Sequence, residues 1–430
     1  MTIEVLAPIL FLFLLLIMAV PVGVCLAVAG LFGLFLFGGL DTSLGILQTT
    51  PYRTVGSYAL TTIPMFVLMA EFATESGITK EIFASARIWF SQLRGGLAYA
   101  SVLTSAGIGA ISGSSSATAA MMGSVAVPEM VSLGYNKKLA LGTVSAAGTL
   151  AILIPPSIPL IIYGILAEQS IAKLLIAGVI PGIIMTLAYM LIVYFWIRGD
   201  KKLAPVAENY SFKQKVASLS GFWPMLVICA AVLGGIYSGA MTPTESAAIG
   251  ALATLILAKV FWKMDWKKVY TAATRSVRTT SMIFIIIIGA NIFGYFLTIT
   301  RVPQDLAAFI GNLMIPAWGI LAVIILLYLV LGCFMDQIAI LVLTVPLTFP
   351  IVTSLGYDPI WFGVLITVLA EIGLITPPLG LNVFVASSAS KIPVEVGFSG
   401  VWRFVVGSLV IMLFMILLPQ IATWLPGRIH

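Results

Sequence analysis

Residues 148–159 read GTLAILIPPSIP, and residues 371–380 read EIGLITPPLG. Both stretches are mostly apolar, and each carries two adjacent prolines that interrupt a helix, because proline lacks the backbone N–H donor and clashes with the preceding turn. The two proline pairs lie 222 positions apart in the chain. We therefore expect two broken helices at equivalent places in two related halves of the sequence.

The same offset relates other parts of the chain without a gap. The tetrapeptide SLGY occurs at 132–135 and again at 354–357, and Pro21 corresponds to Pro243. Internal repetition of this kind is typical of secondary transporters, in which the substrate site lies at the repeat interface near the bilayer midplane. The predicted organisation is a first repeat, a linker and a second repeat: residues 1–197, 198–220 and 221–430.

The composition indicates a membrane protein. Of the 430 residues, 60% are hydrophobic and 9% are charged, whereas about 25% of the residues of soluble domains are charged. Residues 7–37 carry no charge and exceed the ~20 residues that cross a bilayer as a helix. We predict an all-α polytopic membrane protein. The basic residues behind the net charge of +6 fall in short loops, so nucleic-acid binding is not expected.

Each half is predicted to contain five spans and one re-entrant hairpin. The arms of the hairpins are about 15 residues long, which is too short to cross the bilayer but suits half-helices. An odd number of spans per half makes the second repeat enter the membrane upside down, which gives two inverted-topology repeats with about ten spans. The predicted hairpins are 96–131 and 316–352, the broken spans 138–165 and 360–387, and the spans before the hairpins 58–74 and 280–298.

The distribution of basic residues is consistent with this topology. Cytoplasmic loops of membrane proteins carry an excess of Lys and Arg. With ten spans and the N-terminus outside, all but four of the 22 basic residues fall on the cytoplasmic side. Both termini are then periplasmic, and the linker is cytoplasmic. The four exceptions are Arg53, Lys173, Arg301 and Arg428.

The tip of the first hairpin, residues 112–118, reads SGSSSAT. Unpaired polar groups inside a bilayer cost roughly several kcal/mol, so these hydroxyls are expected to face protein or a cavity. Helix N-termini attract anions, and hydroxyl and carbonyl oxygens suit a hard cation such as sodium. Ser116 and Thr118 are our candidate substrate contacts here. Close packing of small residues between helices is the alternative.

Two related cation sites are predicted where the prolines free backbone carbonyls. A purely structural proline kink is the alternative at both places. The first site joins the hydroxyls of Ser112 and Ser115 to carbonyls near Ala151, Ile154 and Pro156. The second joins Gly332 to Gly373, Thr376 and Leu379 at the equivalent positions of the other repeat.

Polar residues in the second half extend this prediction. Asp336 lies at the tip of the second hairpin, where it binds a cation or a substrate hydroxyl, or else caps a helix. Asn382 follows the second break and is a candidate substrate contact, with a helix–helix hydrogen bond as an equal alternative. Glu371 is ambiguous, and Glu245 follows Thr-Pro-Thr as a helix cap would.

Several classes of chemistry are not indicated. His430 is the sole histidine and is terminal, so no histidine-based catalytic or zinc arrangement is predicted. The sequence contains no GxxxxGK[ST] motif for ATP, and its three cysteines have no CxxC spacing. We therefore expect neither an enzyme nor a nucleotide-driven pump, and the broken-helix repeats argue against a simple channel.

The chain resembles the large membrane subunit of tripartite ATP-independent periplasmic (TRAP) transporters, of the DctM or SiaM type. The motifs that carry the resemblance are residues 113–120, 151–159, 242–248 and 373–380. It implies an elevator carrier of the bacterial inner membrane, driven by sodium (Na+), that moves C4-dicarboxylates, sialic acids or related organic acids. It also implies two partners, a small membrane subunit of the DctQ or SiaQ type and a periplasmic substrate-binding protein. A stand-alone sodium/divalent-anion symporter is the alternative, and dependence on partners separates the two.

Overall fold

A computed structural model describes residues 3–18, 20–205, 210–312 and 315–428. Within these ranges the regular secondary structure is entirely helical. Six helical segments are long and apolar enough to cross a bilayer: Val22–Val55, Ile171–Gly199, Pro243–Val260, Trp266–Ile299, Gln337–Ser354 and Val394–Leu417. The second of these consists of two helices in direct succession. The predicted all-α polytopic class is confirmed, and the count of ten spans stays a prediction, because further apolar helices are shorter than a full span.

The helices of the first half and of the linker follow one another in the predicted order. They are α1 (Ile3–Ile17), α2 (Val22–Val55), α3 (Thr62–Ser76), α4 (Ile78–Phe90), α5 (Gly96–Ser112), α6 (Ser115–Ser132), α7 (Lys137–Gly148), α8 (Ile158–Leu166), α9 (Ile171–Ala177), α10 (Val179–Gly199) and α11 (Phe212–Ser218). Helices α5 and α6 correspond to the two arms of the predicted first hairpin, and α7 and α8 to the two parts of the first broken span.

The second half repeats this pattern. Its helices are α12 (Trp223–Tyr237), α13 (Pro243–Val260), α14 (Trp266–Ile299), α15 (Val302–Asn312), α16 (Ala317–Gly332), α17 (Gln337–Ser354), α18 (Pro359–Leu374), α19 (Leu381–Ser390), α20 (Val394–Leu417) and α21 (Gln420–Thr423). Helices α16 and α17 form the second helical hairpin, and α18 and α19 are the two parts of the second broken helix. The helix boundaries thus follow the repeat that the offset predicts.

Local sequence explains why the hairpins turn where they do. Gly113 has φ 58°, a left-handed conformation that glycine adopts without steric cost, and Ser114 then caps α6 by accepting from the N–H of Ala117. In the second hairpin the carboxylate of Asp336 caps α17 by accepting from the N–H of Ile338 at 2.9 Å. Each cap satisfies backbone donors that a helix N-terminus leaves unpaired.

Both breaks contain a cis peptide bond between adjacent prolines, at 155–156 and at 377–378. In the first, a short 3-10 turn follows α7, and Ser157 starts α8 by accepting from the N–H of Leu160. In the second, α19 begins after Gly380, which has φ 56°. The chain therefore resumes a helix as soon as the prolines are passed.

The helices form two packing groups, and each group draws on both halves of the chain. In the first group α2 packs against α14, and α3 packs against α13 and α14. In the second, α6 packs against α5, α7 and α19, α7 packs against α20, and α8 packs against α17. Helix α18 joins this second group through α16 and α17. A hydrogen bond joins the two halves of the chain within each group: the hydroxyls of Thr62 and Thr244 lie 2.6 Å apart, and the Tyr163 hydroxyl donates to the carbonyl of Pro359 at 2.6 Å. We call the groups the α2/α14 group and the hairpin group.

Two helices are longer than hydropathy predicts. Helix α2 runs for 34 residues and is kinked at Gly39, which has φ 74°. Helix α14 also runs for 34 residues, so the predicted span 280–298 is only its C-terminal part. The charged first turns of α14 lower the local hydropathy, although they do not interrupt the helix.

Close backbone contact between α2 and α14 predicts a sharp difference between two glycines of α14. A Cβ added at Gly289 would lie 2.1 Å from the carbonyl oxygen of Gly23, whereas one added at Gly294 would meet nothing within 4 Å. We expect Gly289→Ala to destabilise the protein by about 1–3 kcal/mol through overpacking. Gly294→Ala is expected to be neutral or slightly stabilising, because alanine favours a helix over glycine. Thermal unfolding of the purified variants checks this, and equal melting temperatures would contradict the helix contact.

Candidate functional site

A cavity of about 460 Å³ lies where the hairpin group meets α3 and α14. On one side it is lined by the tip of the first hairpin and the start of α17. On the other side it is lined by residues of α3 and α14. The polar and charged lining residues are Glu71, Thr74, Ser112, Ser114, Ser115, Ser116, Thr279, Asp336 and Gln337. Both repeats therefore contribute to one cavity.

Four helices begin at the wall of this cavity. The lining includes the first residues of α6, of α8, of α17 and of α19: Ser115, Ile158, Gln337 and Leu381. A helix N-terminus presents unpaired N–H groups and the positive end of the helix dipole, both of which attract anions. The cavity thus offers positive potential from backbone on its hairpin side, although Lys, Arg and His are absent from its described lining.

Two carboxylates also line the cavity. Asp336 stands on the hairpin side, where it also caps α17. Glu71 stands on the α3 side, close to Arg275 and Glu75, which form a salt bridge with each other. Asp336 was predicted from the sequence, whereas Glu71 was not. The missed signal was a single acid inside the apolar run at 63–73.

Two of the four predicted substrate contacts line the cavity, and the other two are buried in the protein. Ser116 and Asp336 line the cavity. Thr118 is fully buried, and its hydroxyl donates to the carbonyl of Ser114 at 2.9 Å and lies 3.1 Å from the hydroxyl of Ser112. Asn382 is also fully buried. Neither Thr118 nor Asn382 belongs to the described lining of the cavity, so both face protein.

Part of the first predicted cation set lies at the tip of the first hairpin. A Cβ added at Gly109 would lie 2.3 Å from the Cα of Ala151, and one added at Gly113 would lie 2.6 Å from the carbonyl oxygen of Pro156. The backbone between Ser112 and Ser115 therefore touches the break. Ile154 lies beside Gly182 of α10. Hydroxyl and carbonyl oxygens are the ligands that a hard cation prefers, so the donor set fits sodium.

The second predicted set is equally close. A Cβ added at Gly373 would lie 2.3 Å from the Cα of Gly332, and the N–H of Leu379 donates to the carbonyl of Cys333 at 3.3 Å. The Thr376 hydroxyl donates to the carbonyl of Ile372 at 2.6 Å and retains its acceptor capacity. The structure thus gathers these oxygen-bearing groups at the second hairpin tip, and their chemistry also fits sodium.

Glu371 lies close to residues of both predicted cation sets. It is 3% exposed, and its Oε2 accepts from Nδ2 of Asn382 at 3.3 Å across the second break. The hydroxyl of Ser115, from the first hairpin, lies close enough to interact with the same carboxyl group. An ionisable group buried at this depth in a membrane protein is costly and marks a functional site by default. The role of Glu371 is ambiguous from the sequence, because its neighbours in the fold come from distant parts of the chain.

Comparison with known proteins identifies the family of this chain. The model of the DctM component of the tripartite ATP-independent periplasmic transporter family matches residues 9–421. The chain belongs to this family. It is a TRAP transporter large permease component, and the resemblance stated from its motifs is confirmed. Secondary transport of organic acids is the activity that membership of the family supports.

Curated relatives cover nearly the whole TRAP permease chain. The C4-dicarboxylate TRAP transporter large permease protein DctM of Pseudomonas aeruginosa is 37% identical over 401 residues, which cover 90% of this chain and 93% of the relative. The sialic acid TRAP transporter large permease protein SiaM of Vibrio cholerae is 31% identical over 410 residues, which cover 94% of each chain.

A solved structure has the same fold at low sequence identity. The YdaH transporter of Alcanivorax borkumensis superposes with a TM-score of 0.60 at 16% identity, and the match covers 88% of this chain and 90% of that one. This likeness concerns the fold of the TRAP permease and carries no information on its substrate.

The contrast between Ser116 and Thr118 predicts their accessibility. In a protein whose native Cys25, Cys229 and Cys333 are replaced by serine, Ser116→Cys should react with a maleimide at least about tenfold faster than Thr118→Cys, because reaction needs an accessible thiol. Labelling of the purified native protein measures the rates, and labelling after denaturation provides the control. Equal rates before denaturation would contradict the described tip.

Proposed function

We propose that this TRAP permease takes up a small organic acid by sodium-coupled symport, with an elevator movement, from a periplasmic substrate-binding protein. The observation that carries the proposal is the convergence of four helix N-termini from both repeats on one cavity. Such termini bind carboxylates without a fixed positive side chain. The cavity volume of about 460 Å³ is in the range of small-molecule sites.

The substrate class follows from the cavity and the relatives together. Helix N-termini supply positive potential for a carboxylate, while Ser116 and Asp336 offer hydrogen-bonding partners for hydroxyl groups. The named substrates of the two relatives are C4-dicarboxylates and sialic acid. We propose a cargo of this type, an organic acid of the C4-dicarboxylate or sialic-acid class.

Sodium coupling is supported by the two donor sets at the hairpin tips. Each combines backbone oxygens freed by a proline break with hydroxyl or glycine-rich backbone from a hairpin. Bound sodium would supply positive charge next to the anion cavity. Ser112 and Ser115 would hold one ion with Ala151, Ile154 and Pro156. Gly332, Gly373, Thr376 and Leu379 would hold the other.

An elevator movement is supported by the two packing groups. The hairpin group contains both hairpins and both broken helices, and the cavity lies along its border with α3 and α14 of the α2/α14 group. Movement of the hairpin group as a unit would carry the proposed binding sites past the α2/α14 group. A rigid displacement keeps the side-chain packing within each group intact. It therefore needs less free energy than moving the helices one by one.

We also propose two partner proteins and a membrane location for this chain. The family is described as tripartite and periplasmic, which supports a small membrane subunit of the DctQ or SiaQ type and a periplasmic substrate-binding protein. We propose the bacterial inner membrane as the location, with both termini in the periplasm and the linker in the cytoplasm. Exposed apolar side chains along α2, α14 and α20 suit contact with lipid.

Uptake into proteoliposomes tests the proposal as a whole. The vesicles would contain this chain and its small subunit, with an inward sodium gradient, with and without the binding protein. We expect uptake that needs both the gradient and the binding protein. Uptake with sodium alone would indicate the stand-alone sodium/divalent-anion symporter, and uptake without sodium would contradict the coupling.

Asp336 and Asp358 give a matched pair for testing the cavity. Both carboxylates cap helices, Asp336 through the N–H of Ile338 and Asp358 through the N–H of Trp361, but only Asp336 lines the described cavity. Asparagine caps a helix about as well as aspartate does. Asp336→Asn should therefore lower the initial uptake rate at least about tenfold through loss of its charge, whereas Asp358→Asn should leave it nearly unchanged. Equal rates in the two variants would show that Asp336 serves only as a cap.

A further inference from the structure

A side-chain hydrogen bond joins the two half-helices on either side of the second break. Glu371 lies in the last turn of α18, and Asn382 is the second residue of α19. The Nδ2 atom of Asn382 donates to Oε2 of Glu371 at 3.3 Å. Glu371 is 3% exposed and Asn382 is 0% exposed. The two half-helices are thus joined by a polar pair in an apolar interior.

Two oxygen atoms of this pair lack a hydrogen-bond donor. Oε1 of Glu371 and Oδ1 of Asn382 are both buried without a partner among the described residues. Buried acceptors without a donor are rare and costly, and each one calls for an explanation such as an ion or a water molecule. Oε1 shares its carboxyl group with the hydrogen-bonded Oε2, and Oδ1 shares its amide with the donating Nδ2, so the two unpaired oxygens belong to directly bonded groups. A positively charged occupant between these groups would satisfy both.

The surroundings do not supply a positive charge from the protein. Asp336 at the start of α17 and the phenol of Tyr189 on α10 interact electrostatically with Glu371, and neither carries positive charge. The hydroxyl of Ser115 interacts favourably with the carboxyl group but carries no charge. Glu371 forms no salt bridge with any residue that the structure describes. A carboxylate isolated in this way is stable only with a bound cation or a proton.

We infer that Oε1 of Glu371 and Oδ1 of Asn382 bind a sodium ion at the break of the second repeat. The inference rests on the sodium coupling proposed above. A monovalent ion gives a neutral pair with one carboxylate, whereas a divalent ion would leave a net charge in the membrane interior. The position lies between the two predicted cation sets, because Ser115 belongs to the first set and Gly373 is two residues from Glu371.

The pair also connects ion binding to the shape of the break. A sodium ion held by Glu371 of α18 and Asn382 of α19 would fix the two half-helices relative to each other. Loss of the ion would leave an uncompensated carboxylate beside Asp336 and weaken the connection. The site therefore predicts that sodium stabilises the folded chain, which is a readout independent of transport.

The first experiment compares thermal unfolding of the purified full chain in sodium chloride and in choline chloride at equal ionic strength. Glu371→Gln keeps the shape of the side chain and removes the charge. We expect its melting temperature in choline to equal or exceed that of the wild type, because the buried charge is gone. The sodium concentration for half of the thermal shift should rise about tenfold or more. The control is Glu245→Gln in the exposed capping box of α13, which should respond as the wild type does.

A second variant keeps the test decisive if Glu371→Gln fails to fold. Asn382→Asp adds a carboxylate to the pair, so its melting temperature should fall in choline and recover in sodium by more than the wild-type shift. An equal loss in both salts would overturn the inference and leave a simple hydrogen-bonded brace. A wild-type sodium shift that persists unchanged in Glu371→Gln would do the same.

Failure of this inference can be separated from failure of the proposed function. If the wild type shows sodium-dependent uptake and a sodium shift that Glu371→Gln leaves intact, only the Glu371–Asn382 site is wrong. If the wild type shows neither sodium-dependent uptake nor a sodium shift, the proposed coupling itself is wrong, and the site falls with it.

Discussion

The absence of water from the bilayer interior is the constraint on which the rest of this structure depends. Every backbone N–H and C=O group there needs a partner within the protein. A continuous helix meets this need alone, but a helix broken at adjacent prolines does not. The second hairpin tip meets part of this need, since the carbonyl of Cys333 accepts from the N–H of Leu379, and in the first hairpin Gly113 packs against Pro156. Each hairpin tip and the break beside it therefore stabilise each other.

This mutual requirement also explains how the two halves are interleaved. Each repeat supplies one hairpin and one broken helix, and the four elements collect in one packing group. Small residues permit the close approach, because a Cβ at Gly373 would collide with Gly332. The long helices α2 and α14 pack mainly against each other and make fewer contacts with the hairpin group, through α17. A border between the two groups follows, and the cavity lies on that border.

Part of this arrangement could be predicted from the sequence. The spacing of 222 residues between the proline pairs predicted both broken helices, and the small or polar residues between short apolar arms predicted both hairpin tips, because these signals can be read from the sequence directly. The length of α14 was not predicted, since hydropathy reports lipid contact and not helix continuity. Glu71 was missed and Glu371 stayed ambiguous for a different reason. The meaning of a buried charge depends on neighbours far away in the chain, such as Ser115 for Glu371.

Charge balance offers a physical reason for coupling the cargo to a cation. The cavity that we propose for an organic anion is lined by two acids, Glu71 and Asp336, and Glu371 lies buried nearby. Helix N-termini contribute only about half of an elementary charge each. Two ionised acids in the lining would offset the roughly two elementary charges of the four helix N-termini, so an anionic cargo entering alone would gain little electrostatic stabilisation. Bound sodium ions would make the interaction attractive. Cargo and sodium would then each raise the affinity for the other, because binding linkage is reciprocal.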